Sequence, residues 1–450
     1  MDDEYDIIVL GTGFTECVLS GFFSVEGKRV LHMDRNSYYG AESASLHLGE
    51  LFAFKKKEPD ESIFGKIRTW NVDMIPKFIM ADGRLVKMLI KTDTKRYMDF
   101  AQIKAAFVFK NERSGRVHRV PCTPEETLKS PLLGLFEKRR CHKFVSFVVA
   151  FNPQEPSTFK HFPNILNKER PTTMAEVYKY FGLEESTQEF LGHAVALHTT
   201  DEYLGQPAVN TIEKMKLYWH SLSKFGKSPF IYPLYGLGEL PQAFARLAAV
   251  CGGTYMLNTP IEEIVYDDEG KFVGVKSKGQ VAKAKMVIAD PSYFPDKVKK
   301  VGQILRYIAL IDHPVEYTDK LDSCQVIFPR HQLNRKHDVH LTVLGAPHQV
   351  APQGKYIAII STVVETSKPK QEIAVPLKYV GAVLEEFWFL KNVYEPLPGT
   401  DSSNVFISRS YDETSHFETA SADIMDLYER ITGHPLDLTP PAKDPSAEAQ

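Results

Sequence analysis

Near its start the chain reads GTGFTE, Gly11 to Glu16, between the apolar run Ile7 to Leu10 and a helix-compatible stretch. A glycine turn so placed lays a dinucleotide pyrophosphate on a helix N-terminus, where backbone N–H groups and the helix dipole favour negative charge. Asp34, 23 positions after Gly11, stands where such a turn is followed by an acid for the ribose. The third glycine of the fingerprint is replaced by Glu16, whose carboxylate answers the dipole itself with about 0.3–1 kcal/mol. After Asp34 comes RNSYYGAES, with Ala41 and Glu42 where flavin-binding turns carry a second glycine and a base. Each carboxylate at ~6 Å from a pyrophosphate costs on the order of 1–3 kcal/mol. Glu16 and Glu42 together predict a dinucleotide-type fold with no cofactor bound.

Other chemistry is sparse. FGKSP at 225–229 contains a P-loop fragment, but Ser221 stands where the first glycine is needed and Pro229 interrupts the following helix. His193, His198 and His220 lack metal-binding spacing, and GxSxG, CxxC and paired-carboxylate arrangements are missing, so no catalytic or metal site is expected. A net charge of −3 argues against nucleic acid as a partner. Five widely spaced cysteines read as reduced thiols, and with no signal peptide or membrane-length apolar run the expected location is the cytoplasm. The Pro-rich end, 441–450, reads as a flexible tail.

The elements that would position these residues follow from periodicity. Strand Asp6–Leu10, glycine turn, helix and strand Arg29–Met33 make a βαβ opening. From about 120 the pattern turns helical: Ser130-Pro131 opens a helix with Cys141, Phe144, Val145, Val148 and Phe151 on one face. Thr173 to Glu176 and Ser186 to Glu189 read as capping boxes, and Ile212, Met215, Trp219, Leu222 and Phe225 form a further face. Strand texture returns in 252–291, with a hairpin at Asp267 to Gly270, and a final helix is expected near Ser421–Thr432. Aromatic and polar residues crowd the loops YYGAES, WNVD and YPLYGLGELPQAFARL; Glu239, Gln242 and Arg246 share one face there, as an interface would require.

Over nearly its whole length the chain resembles the Rab GDP dissociation inhibitor (GDI) family, through DIIVLGTGFTEC, VLHMDRNSYYGAES, WNVDMIPKF, FEKRR, GKSPFIYPLYGLGELPQAFARL, GGTYMLN, VIADPSYFPD and RSYDETSHFET. The resemblance implies an α/β, flavoprotein-like (Rossmann-type) sheet domain from residues 1–120 and 227–440, with an inserted all-α domain at 121–226. It implies a catalytically inert protein without a flavin that binds GDP-bound prenylated Rab GTPases, slows GDP release and withdraws them from membranes. It also implies a geranylgeranyl ligand, transient contact with membrane surfaces and a monomer. The implied Rab-binding residues are Tyr39, Arg68, Glu239, Gln242, Arg246, Thr254, Tyr255 and Met256. Lys224, Phe225 and Ser228 would belong to a mobile loop, and Leu133, Phe136, Phe144, Val145, Phe190 and Val195 would line the prenyl pocket. Departures from the family pattern are Thr69 before Trp70, Ala41 after Gly40, and Lys224-Phe225 in place of Arg-Tyr. The alternatives are a Rab escort protein, disfavoured by the compact 450 residues, and an FAD-dependent oxidoreductase.

Overall fold

The structure is a computed structural model and describes residues 4–111, 115–123, 126, 130 and 134–440. Strand β1 (Glu4–Leu10), helix α1 (Phe14–Val25) and strand β2 (Val30–Met33) form the expected opening unit. β1 lies at the middle of a seven-stranded sheet, parallel to β2 on one side and to strand Gln280–Ala289 on the other. Ile8, Val9 and Leu10 are wholly buried, as an unbroken apolar run in a strand covered on both faces requires. Beyond β2 the sheet adds Thr254–Met256; beyond 280–289 it adds the hairpin strands 272–277 and 263–266, and Val405–Ile407 joins in parallel. Helices α1, Glu239–Val250 and Glu418–Thr432 cover one face, with Phe14 against Phe417 and Phe23 stacked on Tyr428 at 5.5 Å.

A second seven-stranded sheet runs in the order 385–396, 298–311, 356–363, 339–345, 324–328, 105–110, 116–119. Its interior is a separate apolar cluster that includes Phe107, Tyr307, Val326, Leu341 and Ile360.

Among the described residues between 134 and 226 every named element is helical. Helix Met174–Phe181 begins with the expected Thr173/Glu176 capping box and ends at Gly182 in the left-handed conformation. The box expected at Ser186 is not formed: the helix starts two residues earlier, after Glu184, and Ser186 lies inside it. That helix runs directly into a π-helical turn, Phe190–Val195. The turn packs so closely on the segment Asp201–Gly205 that a Cβ at Gly192 would collide with the Tyr203 hydroxyl.

His193, at the centre of this turn, ties the helices to the second sheet. Its Nδ1 meets Asp338 Oδ2 at 2.7 Å and its Nε2 meets Asp201 Oδ1 at 3.0 Å. Asp201 also accepts from Arg330 and from His331 at 2.6 Å, and Gln332 donates to Glu189 at 2.7 Å. Burial opposes a charged ring here, but the hydrogen bonds to Asp201 and Asp338 outweigh it and push the His193 pKa up to about 9.

Candidate functional site

The glycine turn is closed from within the chain. The Phe14 N–H, which a pyrophosphate would need, donates to the Tyr411 hydroxyl at 3.0 Å. Asp34 accepts from the Thr12 N–H at 2.7 Å, the Thr12 hydroxyl at 2.6 Å and the Asn36 N–H at 2.7 Å, so its oxygens are engaged. Arg35 lies over the Tyr293 ring at 4.1 Å. An FAD pyrophosphate and ribose, which this fold type suggests, do not fit these residues.

The expected electrostatic cause needs correction. Glu16 is buried; burial, with Asp290 nearby, lifts its pKa to about 8, and Ser408 donates to it at 2.5 Å. Burial thus disfavours its charged form, and its carboxyl group blocks the turn by occupying space against Gly13. Glu42 is likewise not a free charge: it lies 3.7 Å from Arg306 and 3.5 Å from Lys391.

Nearby, Tyr39, Tyr97, Glu239, Gln242, Arg246 and Tyr255 line one shallow groove of about 340 Å³. Helix Glu239–Val250 supplies the i, i+3, i+7 row, because its other face, Leu240, Phe244 and Leu247, is buried. Arg246 lies over the Tyr97 ring at 4.7 Å. Tyr255 is held from below by His32, stacked at 4.3 Å, and by a hydrogen bond from its hydroxyl to Ser20 at 3.1 Å, and Tyr39 rests on it at 6.0 Å. Partial burial raises the Glu239 pKa. Tyr97 is the member that sequence reading missed, since nothing local links a short 3-10 turn at 94–97 to a helix some 140 positions later.

Six expected residues sit elsewhere. Thr254 and Met256 flank Tyr255 on one strand, and alternation turns them away from the groove, Met256 packing into the core on the opposite side of the sheet. Arg68 is exposed in a separate groove with Tyr235 and Gln349. Ser228 is fully buried, its hydroxyl accepting the Phe230 N–H at 3.2 Å, and so is not part of an exposed loop. Lys224 and Phe225 end helix Ala208–Phe225, both exposed, with Lys224 3.3 Å from Asp82.

The helices enclose an apolar cavity of about 390 Å³ between Leu135–Ala150, the π turn and Ala208–Phe225. Of the expected lining, Val145, Phe190 and Val195 are present, joined by Leu191, Tyr218 and Trp219. Phe144 does not line it: it is wholly buried on the neighbouring face against Tyr178 and Phe181. Phe136 points outward, 78% exposed, and Leu133 lies outside the described residues. Cys122, Lys138 and His142 add polar groups to the wall. Among the described residues no cluster of three His, Cys, Asp or Glu side chains could hold a metal, and no helix is long and apolar enough to cross a membrane.

The family model described as GDP dissociation inhibitor matches residues 1–443. The chain is 52% identical over 439 residues to the probable secretory pathway GDP dissociation inhibitor 1 of Schizosaccharomyces pombe, covering 97% of this chain and 98% of that one. It is 51% identical over 441 residues to Rab GDP dissociation inhibitor beta of Rattus norvegicus, covering 97% of each. The crystal structure of a Rab GDI from Plasmodium falciparum superposes with a TM-score of 0.92 at 43% identity, covering 97% of this chain and 100% of that one. An oxidoreductase of Methanosarcina mazei, at 12% identity and a TM-score of 0.59, covers 94% of this chain and 100% of its own and shares the fold alone. With the family model matched almost end to end and two relatives above half identity, the chain belongs to the GDP dissociation inhibitor family.

Proposed function

We propose that this protein is a Rab GDP dissociation inhibitor that binds GDP-bound, prenylated Rab GTPases, slows their GDP release and extracts them from membranes for recycling in vesicle traffic. The observation that carries this reading is the groove in which Tyr39, Glu239, Gln242, Arg246 and Tyr255 converge on a rigid helix-and-strand base. Aromatic rings beside an arginine and a half-buried acid suit a protein partner. The 121–226 segment acts as a separate lipid-binding domain in this reading, and its cavity takes the geranylgeranyl chain. A prenyl group held in a bilayer by ~0.8 kcal/mol per CH2 needs such apolar shelter to leave it. Tight binding of the GDP form must, by linkage, stabilise GDP on the partner by the same factor.

No chemistry is assigned to the glycine turn. The engagement of the Phe14 N–H by Tyr411 and of Asp34 by Thr12 and Asn36 supports a catalytically inert scaffold, which in this reading acts as a cytosolic monomer with transient membrane contact. The test is extraction of prenylated Rab from liposomes, GDP-loaded against GTP-loaded. Preferential release of the GDP form is expected, and equal release of both would remove the proposal.

A further inference from the structure

Behind the closed glycine turn the two sheets leave a polar cavity of about 560 Å³ that the partner groove and the apolar cavity do not use. Arg306 lines it from the middle of strand Val298–Ile311. Its side chain is 2% exposed, yet among the described residues the guanidinium donates to the Tyr411 carbonyl at 3.3 Å and otherwise has the Glu42 carboxylate, at a long 3.7 Å. Its Nε is buried with no acceptor among the described residues. A planar fork of five donors, taken out of water, requires more acceptors than this.

The surroundings keep the deficit positive. Lys391 and Arg409 also line the cavity, and Lys391 shares the single carboxylate of Glu42 with Arg306 at 3.5 Å. Arg409 reaches only Asp423, at 3.7 Å. Asp412 also acts electrostatically on Arg306, but it is engaged by the Lys77 ammonium. Glu16 and Asp290 are shifted upward by burial, and Glu50, at the rim, is engaged with His47 in a helix cap. The hydroxyls of Ser410 and Tyr394 on the same walls can donate to an anion.

We infer that this cavity binds a small soluble oxyanion, a phosphomonoester or carboxylate on a polar metabolite, held by Arg306 and Lys391. The oxyanion accepts from the guanidinium where it borders the cavity, and the volume falls within the ~300–1,000 Å³ of small-molecule sites. The cavity adjoins the flavin-type turns, sharing Glu16, Ala41 and Glu42 with them, but it does not use their N–H groups, which are already taken.

The test is calorimetric titration of the full chain with inorganic phosphate, AMP and citrate in separate experiments. Saturable one-site binding of at least one probe is expected, weakened about tenfold or more by Lys391→Glu and by Arg306→Met. Lys391 is 39% exposed at the rim, so its variant reports even where loss of Arg306 prevents folding. Absence of binding by all three probes overturns the site, as does binding that the Lys391 variant leaves unchanged.

Discussion

The Tyr411 hydroxyl accepts the Phe14 N–H at 3.0 Å across 397 positions of sequence. The first helix of the chain is therefore capped by a residue near the other end. Glycine at its N-cap offers no side-chain acceptor of its own. Tyr411→Phe leaves that donor unpaired and is expected to lower stability by about 1 kcal/mol without conferring flavin binding. Denaturant unfolding of the two proteins measures this, and an unchanged midpoint would show that water replaces the hydroxyl at no cost.

Arg246 holds its place over Tyr97 and opens onto the groove. Arg246→Ala is expected to weaken binding of GDP-loaded Rab by more than ~1 kcal/mol, with Tyr97→Ala producing a smaller loss through a less ordered guanidinium. Titration of unprenylated, GDP-loaded Rab reads both. Equal affinity for wild type and Arg246→Ala would remove the groove from the interface.

Val145 lines the apolar cavity from helix Leu135–Ala150. Val145→Asp places a carboxylate where a hydrocarbon chain would lie, and its desolvation opposes lipid entry. Extraction of prenylated Rab should fall at least about tenfold while binding of unprenylated Rab stays within twofold of wild type. Parallel losses in the two assays would show that the cavity is not the lipid site.

His193 sets a pH dependence. Its ring is fully buried between Asp338 and Asp201; Arg330 and His331 sit on Asp201, with Glu189 and Tyr203 close by. A histidine pKa raised from 6.5 to about 9 stabilises the fold fully below the unfolded value. That contribution, a few kcal/mol in order of magnitude, fades as pH rises from about 6.5 through about 9. Unfolding free energy of wild type should decline across this window, and the decline should flatten in His193→Gln. Matching slopes in the two proteins would place the charge elsewhere.

Much of the fold is legible locally. The run Ile7–Leu10 with its glycine turn announces a buried parallel strand, and Thr173/Glu176 announces a helix start, because both signals act over a few residues. The helical row Glu239, Gln242, Arg246 is legible for the same reason. What escapes is what distant segments decide. Glu16 reads as a charge until Ser408 and Asp290 are packed over it, and the burial of Ser228 within its loop is not apparent until Phe230 enters the small sheet beside it. Phe144 and Val145 are adjacent on one apolar helix face, and only the position of Tyr178 and Phe181 decides which one faces the core and which the cavity. Ser186 does not cap because the helix already begins after Glu184, which places the serine in its first turn.

The pairing of β1 with Gln280–Ala289 has a consequence for synthesis. At ribosomal rates of about 5–20 residues per second, Ile7 to Leu10 wait on the order of tens of seconds for the strand that closes their second edge. During that time the nascent chain carries an open, apolar strand edge, the kind of surface that recruits chaperones or sticks to its neighbours on a polysome. The strand at the centre of the finished sheet is thus the most exposed liability while the protein is being made.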